Sequence, residues 1–159
     1  MKFNSALRNF VLVLFSTLLI SACSTAKKAS VDTVDDVYTG TDTVEYLAKG
    51  VPDRVFFATN KSKLTTRSRD TLRKQATWLR KNKDVTVTLE GHADERGTRE
   101  YNLALGERRA NAAKDYLMTY GVSGKRITVI SYGKEQPVNP ASTPLAWSQN
   151  RRSVTVKTN

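Results

Sequence analysis

The stretch VTVTLEG, residues 85–91, alternates apolar and polar residues without a break, and that alternation limits the fold more than any other part of the chain. Successive side chains on a strand point to opposite faces. Val85, Val87 and Leu89 therefore face one way, and Thr86, Thr88, Glu90 and then His92 the other. A strand with one dry and one wetter face belongs to a sheet covered by helices on one side. A suitable cover follows. From about Arg99 to Tyr120, Leu103, Gly106, Ala110, Ala113 and Leu117 recur at helical spacing. Small residues in that stripe let the helix lie close to a sheet or to another helix, and Gly121 terminates it.

The remaining elements fall around this pair. RVFFA, 54–58, reads as a short apolar strand. Thr65 or Thr66 can cap a helix running to about Lys83, with Leu64, Leu72, Ala76 and Leu79 inward and Trp78 on the flank. RITVISYG, 126–133, is a third strand. A Pro-containing connection, with a short helix around Leu145, leads to the last strand, RRSVTVK, 151–157. The predicted fold class is α+β: a β-α-β-α-β-β sandwich over 51–159, with one mixed four-stranded sheet and two main helices on one face. A hydrophobic content of 39% is enough for its core.

The N-terminus points out of the cytoplasm. Residues 1–22 have a basic start at Lys2 and Arg8 and an apolar run from Phe10 to Ile20. That run is short for a membrane span and leads into small residues, the layout of a signal peptide. Ile20-Ser21-Ala22-Cys23 then resembles the bacterial lipoprotein box. The resemblance implies an S-diacylglycerol on the Cys23 thiol and an N-acyl chain, such as palmitate, on its new amine. Cys23 is the chain's only cysteine, so lipidation leaves no thiol to mispair in an oxidising compartment. Several acyl chains make a lasting anchor. With Ser24 rather than Asp after the cysteine, the resemblance to lipoprotein sorting signals implies the outer rather than the inner membrane. Residues 23–50 are then the lipidated Cys and a polar tether, whose coil spans ~30 Å and whose extended form reaches ~90 Å. The alternative is that VEYLAKG, 44–50, packs on the domain as a short ordered arm.

Export also narrows the partner. The formal charge is +11, and loss of Lys2 and Arg8 with residues 1–22 lowers it to +9. Such a charge suits an acidic partner. Nucleic acid is excluded by compartment, which leaves an acidic envelope polymer.

The densest cluster of polar chemistry is GHADERGTREYN, 91–102. His-Ala-Asp-Glu superficially echoes a zinc deaminase, but no cysteine pair and no second His exist to hold a metal. A Ser-His-Asp arrangement lacks a nucleophile elbow. Glu90, Asp94 and Glu95 raise the alternative of a wall hydrolase using loop carboxylates. A purely protein-binding envelope module is the other alternative. Geometry suggests a binding site. Asp94 lies in the loop leading into the helix that carries Asn102 and Arg109, which are two turns apart on one face. An acid and a guanidinium flanking one pocket suit a zwitterion, the acid taking an ammonium and the Arg a carboxylate. The spacing equally allows Asp94 and Arg109 to pair with each other, or Arg109 to serve a structural end.

The segment 91–122 resembles the signature of the OmpA-like peptidoglycan-binding domains, and RVFFATNKSKL, ISYGKEQPV and NRRSV match that family's other blocks in order over about 52–157. The resemblance implies a non-enzymatic module that binds peptidoglycan through meso-diaminopimelate. In it Asp94 takes the ammonium and Arg109 the carboxylate. Asn102 supports the contact, and Asn150 and Arg151 border the pocket. For a lipidated member with a short tether it also implies a place on the periplasmic face of the outer membrane. There such members exchange with TolB, contact TolA, and serve envelope integrity and cell division. One departure stands out: the family often has acidic residues in its first block, where this chain has Ala58 and Asn60.

Overall fold

Thr65 and Thr98 end extended chain and start the two long helices. Thr65 accepts from the Ser68 amide (3.1 Å) and caps α1, Thr66–Lys81; Thr98 accepts from the Tyr101 amide (3.2 Å) and caps α2, Arg99–Thr119. After α2 the chain turns at Gly121, whose φ of +83° suits a residue without a Cβ. The structure is a computed structural model and describes residues 36–158. The expected signal peptide, Cys23 and tether residues 24–35 lie outside the described residues.

Among the described residues six strands accompany the helices: β1 (Tyr46–Ala48), β2 (Val51–Pro52), β3 (Arg54–Phe56), β4 (Val87–His92), β5 (Ile127–Gly133) and β6 (Arg152–Lys157). A short helix α3, Pro144–Asn150, precedes β6. The main sheet has the order β3-β6-β4-β5, with β4 and β5 parallel and the other pairs antiparallel. Parallel neighbours need a crossover, and α2 supplies it between β4 and β5. The expected mixed four-stranded α+β architecture is the one observed.

The core lies between the helices and one face of the sheet. Val55, Phe57, Val87, Leu89 and Ile127 meet Leu72, Ala76 and Leu79 of α1 and Ala110, Ala113 and Leu117 of α2. Helix α2 touches β4 backbone to backbone. A Cβ built on Gly91 would sit 1.8 Å from the Gly106 carbonyl oxygen, and one on Gly106 would meet Ser131 Oγ at 2.3 Å. This contact decides which side of α2 faces in. Leu103, expected in the buried stripe, is 44% exposed, while Asn102, Leu105 and Arg109 turn inward.

Ahead of residue 51 the chain packs on the domain, as in the ordered-arm alternative. Residues 36–50, read from sequence as tether, form an arm that packs along β3. Val37 and Tyr38 bury themselves against Phe56, with the Tyr38 and Phe56 rings edge-on at 4.8 Å. Tyr46–Ala48 pairs with Val51–Pro52. Polar anchors complete the seat: Arg54 approaches Glu45 at 3.5 Å, and Gln149 donates to Asp42 at 2.9 Å. Apolar residues too sparse to make a helix or core stripe still suffice to cover a ready-made apolar surface.

His92 is 1% exposed and stacked on Tyr132. Burial, reinforced by Arg152 and Arg54, pushes its pKa down to about 3. It is therefore neutral at pH 7, and its 3.5 Å approach to Glu90 is not an ion pair. An unfolded His takes up a proton near pH 6.5. Stability from the neutral ring is thus complete above that pH and falls as acid titrates the unfolded chain. The expected loss between pH 7 and pH 5 is about 2 kcal/mol. Urea midpoints at the two pH values measure it, and His92→Gln, which removes the only histidine, should flatten the difference. A wild-type midpoint unchanged at pH 5 would contradict the burial of a neutral ring.

Candidate ligand-binding site

The loop between β4 and α2 is built to present Asp94. The Ala93 amide donates to the Gly133 carbonyl (2.7 Å), and Lys134 Nζ donates to the carbonyls of Glu95 (3.2 Å) and Gly97 (2.8 Å). Gly97 has φ +94°, which lets the loop turn into α2. Asn102 Nδ2 donates to the Arg96 carbonyl at 2.8 Å, so its amide braces the loop.

Asp94 does not pair with Arg109. Its ion-pair partners among the described residues are Arg96 and Arg151. Arg96 Nε donates to Oδ1 (3.1 Å) and Nη2 to Oδ2 (2.7 Å), while Arg151 Nη1 donates to Oδ2 (3.2 Å). Burial alone would raise the carboxyl's pKa, but the bonds from Arg96 and Arg151 outweigh it and hold Asp94 below the usual carboxylate range.

Arg109 is fully buried rather than at a rim. Its guanidinium lies over Phe57 at 5.4 Å. Nε donates to the Lys61 carbonyl (2.9 Å), Nη1 to that of His92 (2.8 Å) and Nη2 to that of Ala58 (3.1 Å). A guanidinium has five N–H donors, so two remain outside these bonds. Ala58 and Lys61 thus enter the site through backbone oxygens, while Asn60 holds a turn at φ +55°. Burial, with the neighbouring Arg151 guanidinium adding to it, pushes Arg109 down to about 9, which still leaves it charged at pH 7.

Arg151 is 1% exposed; besides Asp94 it bonds the Phe57 carbonyl through Nε (3.1 Å) and Asp36 through Nη2 (2.7 Å). Asn150, expected beside the pocket, spends its side chain on the 138–139 backbone: Oδ1 accepts from Val138 and Asn139, and Nδ2 donates to the Asn139 carbonyl. Two buried guanidiniums, Arg109 and Arg151, therefore stand against one buried carboxylate, Asp94, while Arg96, Asp36 and Glu95 meet in a more exposed layer around them. The imbalance suits one further carboxylate.

Sequence reasoning did not find Arg96, Asp36 or Trp147. Arg96 is 42% exposed at its side chain and lies over the Trp147 ring at 4.3 Å. It is the partner of Asp94 with room to leave, so an incoming ammonium can replace it. Its amide also donates to Asp94 Oδ1 (3.1 Å), the Asx turn that an Asp followed two residues later by a bonding residue can signal. Trp147 and Asp36 arrive from remote parts of the chain and leave no local signal.

Residues 56–151 match the OmpA family. Over 153 residues the chain is 42% identical to the peptidoglycan-associated lipoprotein of Mesorhizobium japonicum, across 93% of this chain and 91% of that protein. The chain belongs to the OmpA family. It is also similar to the peptidoglycan-associated lipoprotein of Rhizobium meliloti, at 56% identity over 106 residues; the match spans 67% of this chain and 60% of that relative's length. Among solved structures, the peptidoglycan-associated lipoprotein from Burkholderia pseudomallei superposes with a TM-score of 0.65 at 34% identity, covering 67% of this chain and 90% of that one. The C-terminal domain of Helicobacter pylori MotB shares the fold at a TM-score of 0.63 and 20% identity. In this OmpA-family chain the Asp94 loop, the buried face of α2 and the start of β6 converge on one site.

Proposed function

We propose that this chain is an outer-membrane lipoprotein that binds peptidoglycan without covalent chemistry, through meso-diaminopimelate, and links membrane to wall. Its lipid sits on Cys23, and its protein partners are TolB and TolA of the Tol–Pal system. The observation that carries the ligand is the excess of buried guanidinium around Asp94. A group with an ammonium and a carboxylate answers both: the ammonium displaces Arg96 from Asp94, and the carboxylate meets the N–H groups that Arg109 does not use within the domain, beside the Arg151 guanidinium. The names of the relatives at 42–56% identity support the polymer. The hydrolase reading finds no such support. It needs two carboxylates facing one bond. Glu90 instead lies beside His92 and Arg152, and Glu95 is bonded to Trp147 (2.8 Å) and Ser142 (3.0 Å).

Titration with the wall tripeptide L-alanyl-γ-D-glutamyl-meso-diaminopimelate tests the reading. Asp94→Asn keeps the shape and removes the charge; it should weaken binding more than tenfold, or about 1.4 kcal/mol. The same tripeptide with lysine in place of diaminopimelate keeps the ammonium and lacks the side-chain carboxylate, so it should bind far more weakly. Equal binding of the two peptides would exclude a guanidinium–carboxylate contact.

A further inference from the structure

Among the described residues, Arg151 satisfies two of its three guanidinium nitrogens on Phe57 and Asp94 and the third only on the arm. Nη2 meets both the carboxylate and the backbone carbonyl of Asp36. The Thr59 hydroxyl donates to the other Asp36 oxygen and accepts from Arg96 Nη2 at 3.2 Å, so a short chain of bonds joins Arg96 to the arm. Asp36 holds φ +54°, in the left-handed region that non-glycine residues rarely adopt, and these contacts keep it there.

Its side chain is nevertheless 45% exposed. It forms one wall of a cleft of about 690 Å³ that Ala58, Thr59, Lys61, Lys63 and Arg69 also line. The cations of that cleft would draw in an acidic peptide. Asp36 thus stands between the solvent-filled cleft and a buried guanidinium. The rest of the arm does not depend on it: Tyr38 on Phe56, Glu45 near Arg54 and Asp42 with Gln149 hold it elsewhere.

We propose that Asp36 is a built-in competitor: its carboxylate occupies on Arg151 the place that the diaminopimelate carboxylate of a wall peptide takes, so that binding requires Asp36 to let go. This rests on the wall-binding reading above. The arm leads back toward the expected lipid anchor, so the same contact couples the state of the tether to the affinity of the site.

Calorimetric titration of the full chain in detergent micelles with the diaminopimelate tripeptide tests the idea. Asp36→Asn keeps the size of the side chain and removes the competing charge; the apparent affinity should rise roughly fivefold, as when an occluded site becomes fully available. Glu45→Gln, which loosens the arm at Arg54 without touching Arg151, should leave affinity unchanged. In the wild type the tripeptide should speed hydrogen exchange at the Val37 and Tyr38 amides. Wild-type and Asp36→Asn binding of equal strength, or weaker binding by Asp36→Asn, would overturn the competitor and leave the wall reading standing. An equal gain in Glu45→Gln would replace competition with general loosening and also overturn it. No binding by either the wild type or Asp36→Asn would remove both readings at once.

Discussion

Arg109→Leu should lower the stability of the domain by roughly 3–5 kcal/mol, because it strips a buried charge network of one member. Arg109 bonds the carbonyls of Ala58, Lys61 and His92, which belong to two separate segments of the chain. Leucine fills part of the volume and leaves all three oxygens without this donor, and each buried unpaired acceptor costs about 1–3 kcal/mol. Removing a cation beside Arg151 returns only part of that. Arg109→Lys keeps the charge but offers one nitrogen to three diverging oxygens, so it should fall between leucine and wild type. Urea denaturation at pH 7 gives the values directly. A loss under about 1 kcal/mol would mean that the carbonyls find water and that Arg109 is held for the ligand alone. Binding measured on Arg109 variants has to be corrected for the unfolded fraction, and Asp94 is the cleaner probe of the ligand.

Gly91→Ala should cost at least about 3 kcal/mol, the upper end of overpacking. The new methyl would lie 1.8 Å from the Gly106 carbonyl oxygen, which is backbone and cannot rotate away. Helix α2 must lift off β4, and Gly91 lies three residues before Asp94 and pairs with both Ser131 and Ser153. The shift would therefore reach the site: Arg109 Nη1 would lose its 2.8 Å bond to the His92 carbonyl. The denaturant midpoint should fall, and the affinity for the diaminopimelate tripeptide should fall with it in the folded fraction. A variant of wild-type stability would show that α2 can move outward at little cost, and would take Gly91 and Gly106 out of the account of how the site is held.

Much of this protein is local physics and can be read along the chain. The alternation at 85–91 determined a strand with one buried face, the threonines at 65 and 98 determined where the helices start, and Gly121 where the second stops. These are interactions between residues a few positions apart, so their signals are in adjacent letters. The resemblance of 91–122 to a known signature placed Asp94, Asn102 and Arg109 in one site, and the fold does bring them to neighbouring elements. Gly106, Ala110, Ala113 and Leu117 of the expected stripe are buried and Leu103 alone is not, because in the first turns of α2 the inward face, set by the close approach of Gly91 and Gly106, carries Asn102 and Leu105 instead.

What the tertiary structure alone decided is which charges meet. Arg109 and Asp94 have the spacing of a pair, yet Arg109 goes to three carbonyls and Asp94 to Arg96 and Arg151. Arg151 lies 57 positions from Asp94 and 115 from Asp36, and no sequence rule connects such positions. Charges pair over a few ångströms of space whatever their distance along the chain, and a long side chain reaches several candidate partners at similar energy. Burial then selects among them, because a guanidinium taken out of water must satisfy its donors with whatever oxygens the packed backbone happens to offer. The arm follows the same logic: Val37 and Tyr38 are too isolated to predict a core, and they are buried only because the folded sheet presents Phe56 to them.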